Sequence, residues 1–252
     1  LKKAGNMVHN ILGGREVHGM NERIGGFPTI PKEEDLLTIK KAMKGSKATA
    51  ELAVKLLTSL DIPDFAQSEN TLMALDPGKK FGYIGDYVLI SNGERRKVEE
   101  YRELTNEKVV KYSHAKHSSY KGFPFMVGAL PRVLLCKDKL YGTAKELFKE
   151  HKDKLDQKNS LNNNLAQAIE LVHSVDRCIE DIDALLSNGL EKEGLVKIEP
   201  RESSAVGAVE APRGILYHNY SFDKNGCITK ANVITPTALN YANIEKDCRV
   251  AA

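Results

Sequence analysis

Leu161, Leu165, Ile169, Val172, Ile179, Ile182 and Leu186 recur every three or four residues, apart from one wider step, with charges on the remaining faces. That is the repeat of a helix that buries one side. The spacing predicts a helix over 161–186, ~39 Å long at ~1.5 Å per residue, closed by Asn188-Gly189. A helix of that length belongs in a bundle. A second helical stretch covers Glu33 to Leu60, where Leu36, Ile39, Met43, Leu52, Leu56 and Leu60 are spaced for one buried face and Gly45-Ser46 divides the stretch in two. Leu140 to Phe148 continues helical, and residues 1–12 end a helix that Gly13-Gly14 breaks.

Elsewhere the period shortens. Thr71–Leu75, Gly82–Ile84 and Tyr87–Ser91 read as short strands with turns at Pro77-Gly78 and Asn92-Gly93. Ile215–Phe222 and Cys227–Thr235 read as a hairpin over Asp223-Lys224-Asn225-Gly226, because Asn-Gly supplies the positive φ angles of a tight turn. With Asn225-Gly226 as a two-residue loop, residues whose numbers sum to 451 lie opposite each other. Arg213 then faces Ala238, beside Thr237, so that Ala-Pro-Arg-Gly and Thr-Pro-Thr meet at the open end of the hairpin. Pro212 and Pro236 stiffen the backbone there, and Gly214 permits a close approach. The expected fold class is mainly α with small antiparallel β elements (α+β), carrying a small polar pocket on a rigid hairpin. An ordinary hairpin whose Arg213 salt-bridges Glu210, and whose prolines end strands, also fits the spacing.

Composition narrows the classes. At 252 residues and 41% hydrophobic content the chain can bury a core, taken here as a single domain over 1–252. A net charge of +3 from 37 basic and 34 acidic residues, with no basic stripe among aromatics, argues against a nucleic-acid partner. Nothing approaches the ~18 consecutive apolar residues of a membrane span, and no signal-like core follows Leu1, so a cytoplasmic protein is expected. Cys136, Cys178, Cys227 and Cys248 contain no CxxC pair and are expected as reduced thiols. His114 and His117, three apart, read as surface or outer-shell groups, and His173 and Cys178 as packing residues. His18 reads as a loop histidine.

The run Gly207-Ala208-Val209-Glu210-Ala211-Pro212-Arg213-Gly214, with His218 following and Ile234-Thr235-Pro236-Thr237-Ala238-Leu239-Asn240 after the hairpin, resembles the nickel-iron hydrogenase large subunit. Ile215-Leu216-Tyr217-His218, the Asn-Gly hairpin and Ile244-Glu245-Lys246-Asp247 resemble its cytosolic, multi-subunit branch. Gly13-Gly14-Arg15-Glu16-Val17-His18 with Gly25-Gly26-Phe27, and the segment from Tyr120 to Arg132, agree with the same family, so coverage is nearly end to end.

The resemblance implies the multihelical large-subunit fold and a Ni-Fe(CN)2CO centre. Around the iron's diatomic ligands it places Pro212, Arg213, Pro236 and Thr237, with cyanide accepting hydrogen bonds from Arg213 and Thr237. Arg213 is the catalytic candidate, set above the position where hydrogen is split and accepting or steering the proton. His18 and His218 join this surround as outer-shell groups, although Gly19 stands where the family often has proline. A magnesium ion in the family takes a backbone carbonyl that maps to Val233. The parent activity would be reversible oxidation of H2, with electrons leaving through an iron-sulfur small subunit to further electron-transfer subunits.

The family also holds its metals by two CxxC pairs, and this sequence has neither. The expectation is therefore an internal fragment of a large subunit, without the glutamate of the proton path and with no bound cofactor, silent by itself. The alternatives are a non-catalytic relative of the quinone-site subunit of respiratory complex I, acting as scaffold, and a stand-alone binding module. The intact Glu210-Ala211-Pro212-Arg213-Gly214 run argues against the first.

Overall fold

The computed structural model describes residues 1–64, 67–191 and 194–252. Helix α1 (Lys2–Gly13) stops where Gly14 takes a left-handed φ of 81°, and α2 (Glu33–Ser59) follows. The chain then enters a four-stranded sheet made of β1 (Thr71–Leu75), β2 (Tyr87–Ile90), β3 (Arg95–Lys97) and, after the short α3 (Tyr101–Thr105), β4 (Phe125–Met126). The strand order is β3-β2-β1-β4, antiparallel except for the parallel pair β1–β4. Gly82–Ile84 is not a strand; it contributes one bridge, Ile84 to Val209. Helices α4 (Ala129–Leu135), α5 (Gly142–His151) and α6 (Asn163–Asn188) come next. Last are the antiparallel sheet of β5 (Ser203–Ala211), β6 (Gly214–Phe222) and β7 (Ile228–Ile234), and helix α7 (Pro236–Ala251).

Two apolar cores result. One fills the space among α2, α4, α5 and α6 with Leu36, Leu130, Leu165 and Ile169. The other joins both sheets to α3 and α7 through Met73, Tyr101, Phe125, Ile215, Tyr217 and Leu239.

The structure corrects two expectations about the helices. Helix α2 runs unbroken through Gly45-Ser46, because Ser46 belongs to its buried face with Leu36, Ile39, Met43, Ala50 and Val54. Leu52, Leu56 and Leu60 lie off that face, 62%, 59% and 52% exposed. On α6, which matches the predicted long helix, not every charge faces solvent: Glu170 and Asp176 are buried. Asp176 accepts from Lys47 Nζ at 2.7 Å and from the Thr143 N–H at 2.9 Å.

The late hairpin keeps its predicted register by a different route. Pairs from Tyr217–Ile234 to Ser221–Lys230 obey the expected sum of 451. Nearer the turn the sum drops by one, Phe222 facing Ile228, because a bulge interrupts the ladder. The loop has three residues, Lys224, Asn225 and Gly226, with Asp223 N–H donating to Cys227 O at 2.9 Å and Gly226 at φ 79°. A three-residue loop ending in a left-handed glycine brings such a bulge with it.

Candidate functional site

Strands β5 and β6 pair from Ser203–Phe222 to Ala211–Gly214, which makes Pro212-Arg213 a two-residue turn. Gly214 leaves it at φ 125°, and a Cβ there would lie 2.4 Å from Val127 Cγ2 and 2.8 Å from the Gly128 N. Only glycine fits, so the expected close approach exists and the approaching group is the backbone after β4. The ladder of β6 and β7 ends at Ile234, since Thr235 caps α7 by accepting the Ala238 N–H and Pro236 occupies the first helical position. Arg213 therefore does not face Ala238. Asn240 instead reaches back from α7, its Nδ2 donating to Arg213 O at 3.3 Å and Val127 O at 3.0 Å while its Oδ1 accepts from Val127 N at 2.9 Å.

Glu210 points away from Arg213 and into the protein. Its Oε1 accepts the Leu75 N–H of β1 at 2.8 Å, and its Oε2 accepts from Arg132 Nη1 at 2.8 Å. Arg132, 2% exposed on α4, also binds Glu170 of α6 through Nε at 2.6 Å and Nη2 at 2.8 Å. The Glu210–Arg213 pairing is thus overturned: a second arginine holds that carboxylate, and among the described residues Arg213 has no ionic partner. Burial works against the Arg132 charge, but hydrogen-bonded Glu170 and Glu210 outweigh it and keep the pKa above the ordinary guanidinium value. Burial pushes the Glu210 carboxyl upward, opposed by Arg132 and the Leu75 N–H. Sequence reasoning assigned no role to Arg132 or Glu170. The available signal was Glu170 sitting between Ile169 and His173 on the apolar side of α6.

The other predicted site residues are placed as follows. Pro212 and Arg213 are exposed, Pro236 is buried and Thr237 is half-buried in the first turn of α7. These four share one end of the β5–β6–β7 sheet. His218 does not adjoin them: it lies five residues from Arg213, about 16 Å at ~3.3 Å per residue, and its Nδ1 meets Tyr220 Oη at 3.0 Å. Val233 faces His218 on the edge strand β7. His18 is exposed at φ 53°, with Arg15 Nε donating to its carbonyl at 2.5 Å, and no hydrogen bond ties it to Arg213 or α7 among the described residues. His114 is exposed, and His117 stacks on Tyr241 with Nδ1 3.5 Å from Glu245. His173 is buried edge-on to Phe81, a packing position.

Arg213 and Thr237 supply a set of hydrogen-bond donor types at one end of the sheet, Thr237 in the first turn of a 16-residue helix whose dipole adds partial positive charge there. Such a set suits the anionic ligands of a bound group. It does not suit a bare metal, and among the described residues no three His, Cys, Asp or Glu side chains are grouped to hold one. No described helix is long and apolar enough to cross a membrane.

Comparison with known proteins meets this geometry. The alpha subunit of sulfhydrogenase 1 from Pyrococcus furiosus is 39% identical over 253 aligned residues, covering 100% of this chain and 59% of that protein. The alpha subunit of sulfhydrogenase 2 from the same organism is 39% identical, covering 97% of this chain and 56% of that protein. The chain thus spans under two thirds of the length of these relatives. A crystal structure of an NAD+-reducing [NiFe]-hydrogenase in the H2-reduced state superposes with a TM-score of 0.83 over 97% of this chain and 58% of that one; at 22% identity it shares the fold. A family model described as nickel-dependent hydrogenase matches residues 83–251, which include Arg132, Glu170, the Pro212-Arg213 turn and all of α7. The chain belongs to the nickel-dependent hydrogenase family.

Proposed function

We propose that this chain, as a single domain, supplies the arginine-bearing wall of a hydrogenase large subunit that interconverts H2 with two protons and two electrons. The observation that carries this reading is the guanidinium of Arg213, without an ionic partner among the described residues and set on a turn whose neighbouring carboxylate is already bound to another arginine. When bound, a nickel-iron centre with cyanide and carbonyl ligands supplies the splitting of H2. Arg213 and the Thr237 hydroxyl would donate hydrogen bonds to its anionic ligands, which would lower the cost of holding negative charge away from water. Pro212 and Pro236 would put carbon against the same ligands. Arg213 would steer the released proton along the wall. His18 is an outer group in this reading and His218 a more distant one along β6, and the Val233 carbonyl is the candidate ligand for magnesium. The cysteine ligands of nickel and iron lie outside these residues, so the chain by itself is proposed to be inactive. Its partners are an iron-sulfur small subunit and further electron-transfer subunits of a cytoplasmic complex.

The experiment is to purify the whole complex with Arg213 intact or as Arg213→Lys and to measure nickel, iron and H2-driven dye reduction. Stoichiometric nickel and iron in both, with turnover reduced about 100-fold in the variant, is expected for the loss of a preorganised donor at developing charge. An intact complex without nickel or H2 oxidation would instead make this a non-catalytic relative acting as scaffold.

A further inference from the structure

Arg132 spends all its donors on one task. Its five N–H groups meet five acceptors: Nε and Nη2 bind Glu170, Nη1 binds Glu210 Oε2, and the remaining hydrogens go to Ala211 O at 3.1 Å from Nη1 and Pro212 O at 3.2 Å from Nη2. Asn240 takes the next carbonyl, that of Arg213, at 3.3 Å. Three successive carbonyls of the Ala211–Arg213 segment are therefore held by side chains, two from beneath by α4 and one from α7. Glu210 completes the clamp by tying the strand before the turn to the Leu75 N–H of β1.

A turn built for stability alone would not need a buried cation and two buried carboxylates, which are costly to desolvate. What the cluster achieves is direction: with its carbonyls bound, the turn is held against peptide rotation, which fixes the Cα–Cβ direction from which the Arg213 side chain starts. We propose that Arg132 is a positioning residue that aims the Arg213 guanidinium, with Asn240 as the second jaw. This rests on the reading of Arg213 given above. Arginine is required for geometric reasons. A lysine at 132 would retain the charge facing Glu170 and Glu210 but has three donors on one nitrogen, which cannot span two carboxylates and two carbonyls.

The test uses the complete hydrogenase complex with Arg132→Lys, Asn240→Ala, Arg213→Lys and the two double variants with Arg213→Lys. Amide hydrogen exchange in the peptide spanning Arg213 and Gly214 is read first, because it does not depend on activity. It should rise about tenfold or more in Arg132→Lys and in Asn240→Ala while α6 keeps its protection. Turnover of H2 should fall about 10- to 100-fold in Arg132→Lys at unchanged nickel content, the usual result of a small misplacement. Combined with Arg213→Lys, it should fall no further than Arg213→Lys alone. Unchanged exchange at the turn, or effects of Arg132→Lys and Arg213→Lys that multiply, would overturn the proposal. If Arg132→Lys fails to assemble, Asn240→Ala decides by the same two readouts. Normal turnover in Arg213→Lys would remove the functional reading of Arg213, leaving the exchange data to judge the clamp.

Discussion

At the scale of single residues, environment divides groups of the same chemistry. Burial pushes the Cys136 thiol up to about 12, whereas Cys227 and Cys248 are exposed. Since the thiolate is the reactive form, a thiol reagent at about pH 8 should modify Cys227 and Cys248 within minutes, Cys178 more slowly and Cys136 only after unfolding. Mass spectrometry of alkylated peptides checks the order; early labelling of Cys136 would place it elsewhere than under Leu75. His173 shows the same principle with opposite sign. Burial, and then the Arg177 charge, lower its pKa, with Asp176 and Asp181 opposing. An unfolded histidine takes up a proton near pH ~6.5, and the folded one only at lower pH. Stability from neutral His173 is therefore full above that value and is lost as pH falls through it toward the folded pKa. His173→Phe should reduce the drop in melting temperature between about pH 7.5 and about pH 5.5; an unchanged drop would mean that His173 does not titrate in this range.

At the scale of elements, α2 and the late hairpin show what the sequence discloses. The repeat of large apolar residues locates α2, but the face it buries beyond Met43 consists of Ser46, Ala50 and Val54, small residues that allow close packing against α6. A reading weighted toward leucine places Leu52, Leu56 and Leu60 inside. Leu36→Ala should cost roughly 2–5 kcal/mol and Leu52→Ala within about 0.5 kcal/mol, a contrast that urea denaturation resolves. Strand β5 escapes pattern reading because Ser203-Ser204-Ala205 and Gly207-Ala208 are small and mostly exposed, and α7 because Thr-Pro-Thr reads as a strand end. Gly226 and Gly214 were legible, since each residue type answers a local need. Of these, Gly214 is the less forgiving: Gly214→Ala should destabilise by about 2 kcal/mol or more through both its φ and the Val127 clash, and Gly93→Ala, left-handed in open space, by about 1 kcal/mol. Equal losses at the two positions would show that the contact with Val127 yields.

Over the whole molecule, the Arg132 cluster is a polar join between the two cores, beside β1 and β4, whose Leu72 and Met126 enter one core and Met73 and Phe125 the other. Arg132 and Glu170 belong to α4 and α6 in the helical core, and Glu210 hangs from β5 and grips β1 in the sheet core. No periodicity predicts such a join, because its members lie 38 and 78 residues apart in the chain and each is a polar residue within an otherwise ordinary segment. Breaking it should be severe. Arg132→Met leaves two carboxylates buried without a counter-charge and should cost roughly 3–5 kcal/mol. That corresponds to a melting temperature lower by roughly 6–20 °C at ~2–4 °C per kcal/mol for a chain of this size. Removing the charges together should not be severe: Arg132→Met with Glu170→Leu and Glu210→Leu replaces a desolvated cluster by apolar packing and should recover most of the lost melting temperature. If recovered stability brings back protection of the Pro212-Arg213 turn as well, the cluster is only a fastener. If stability returns and the turn stays loose, the two roles separate, and the expense of burying three charges is explained by where Arg213 must point.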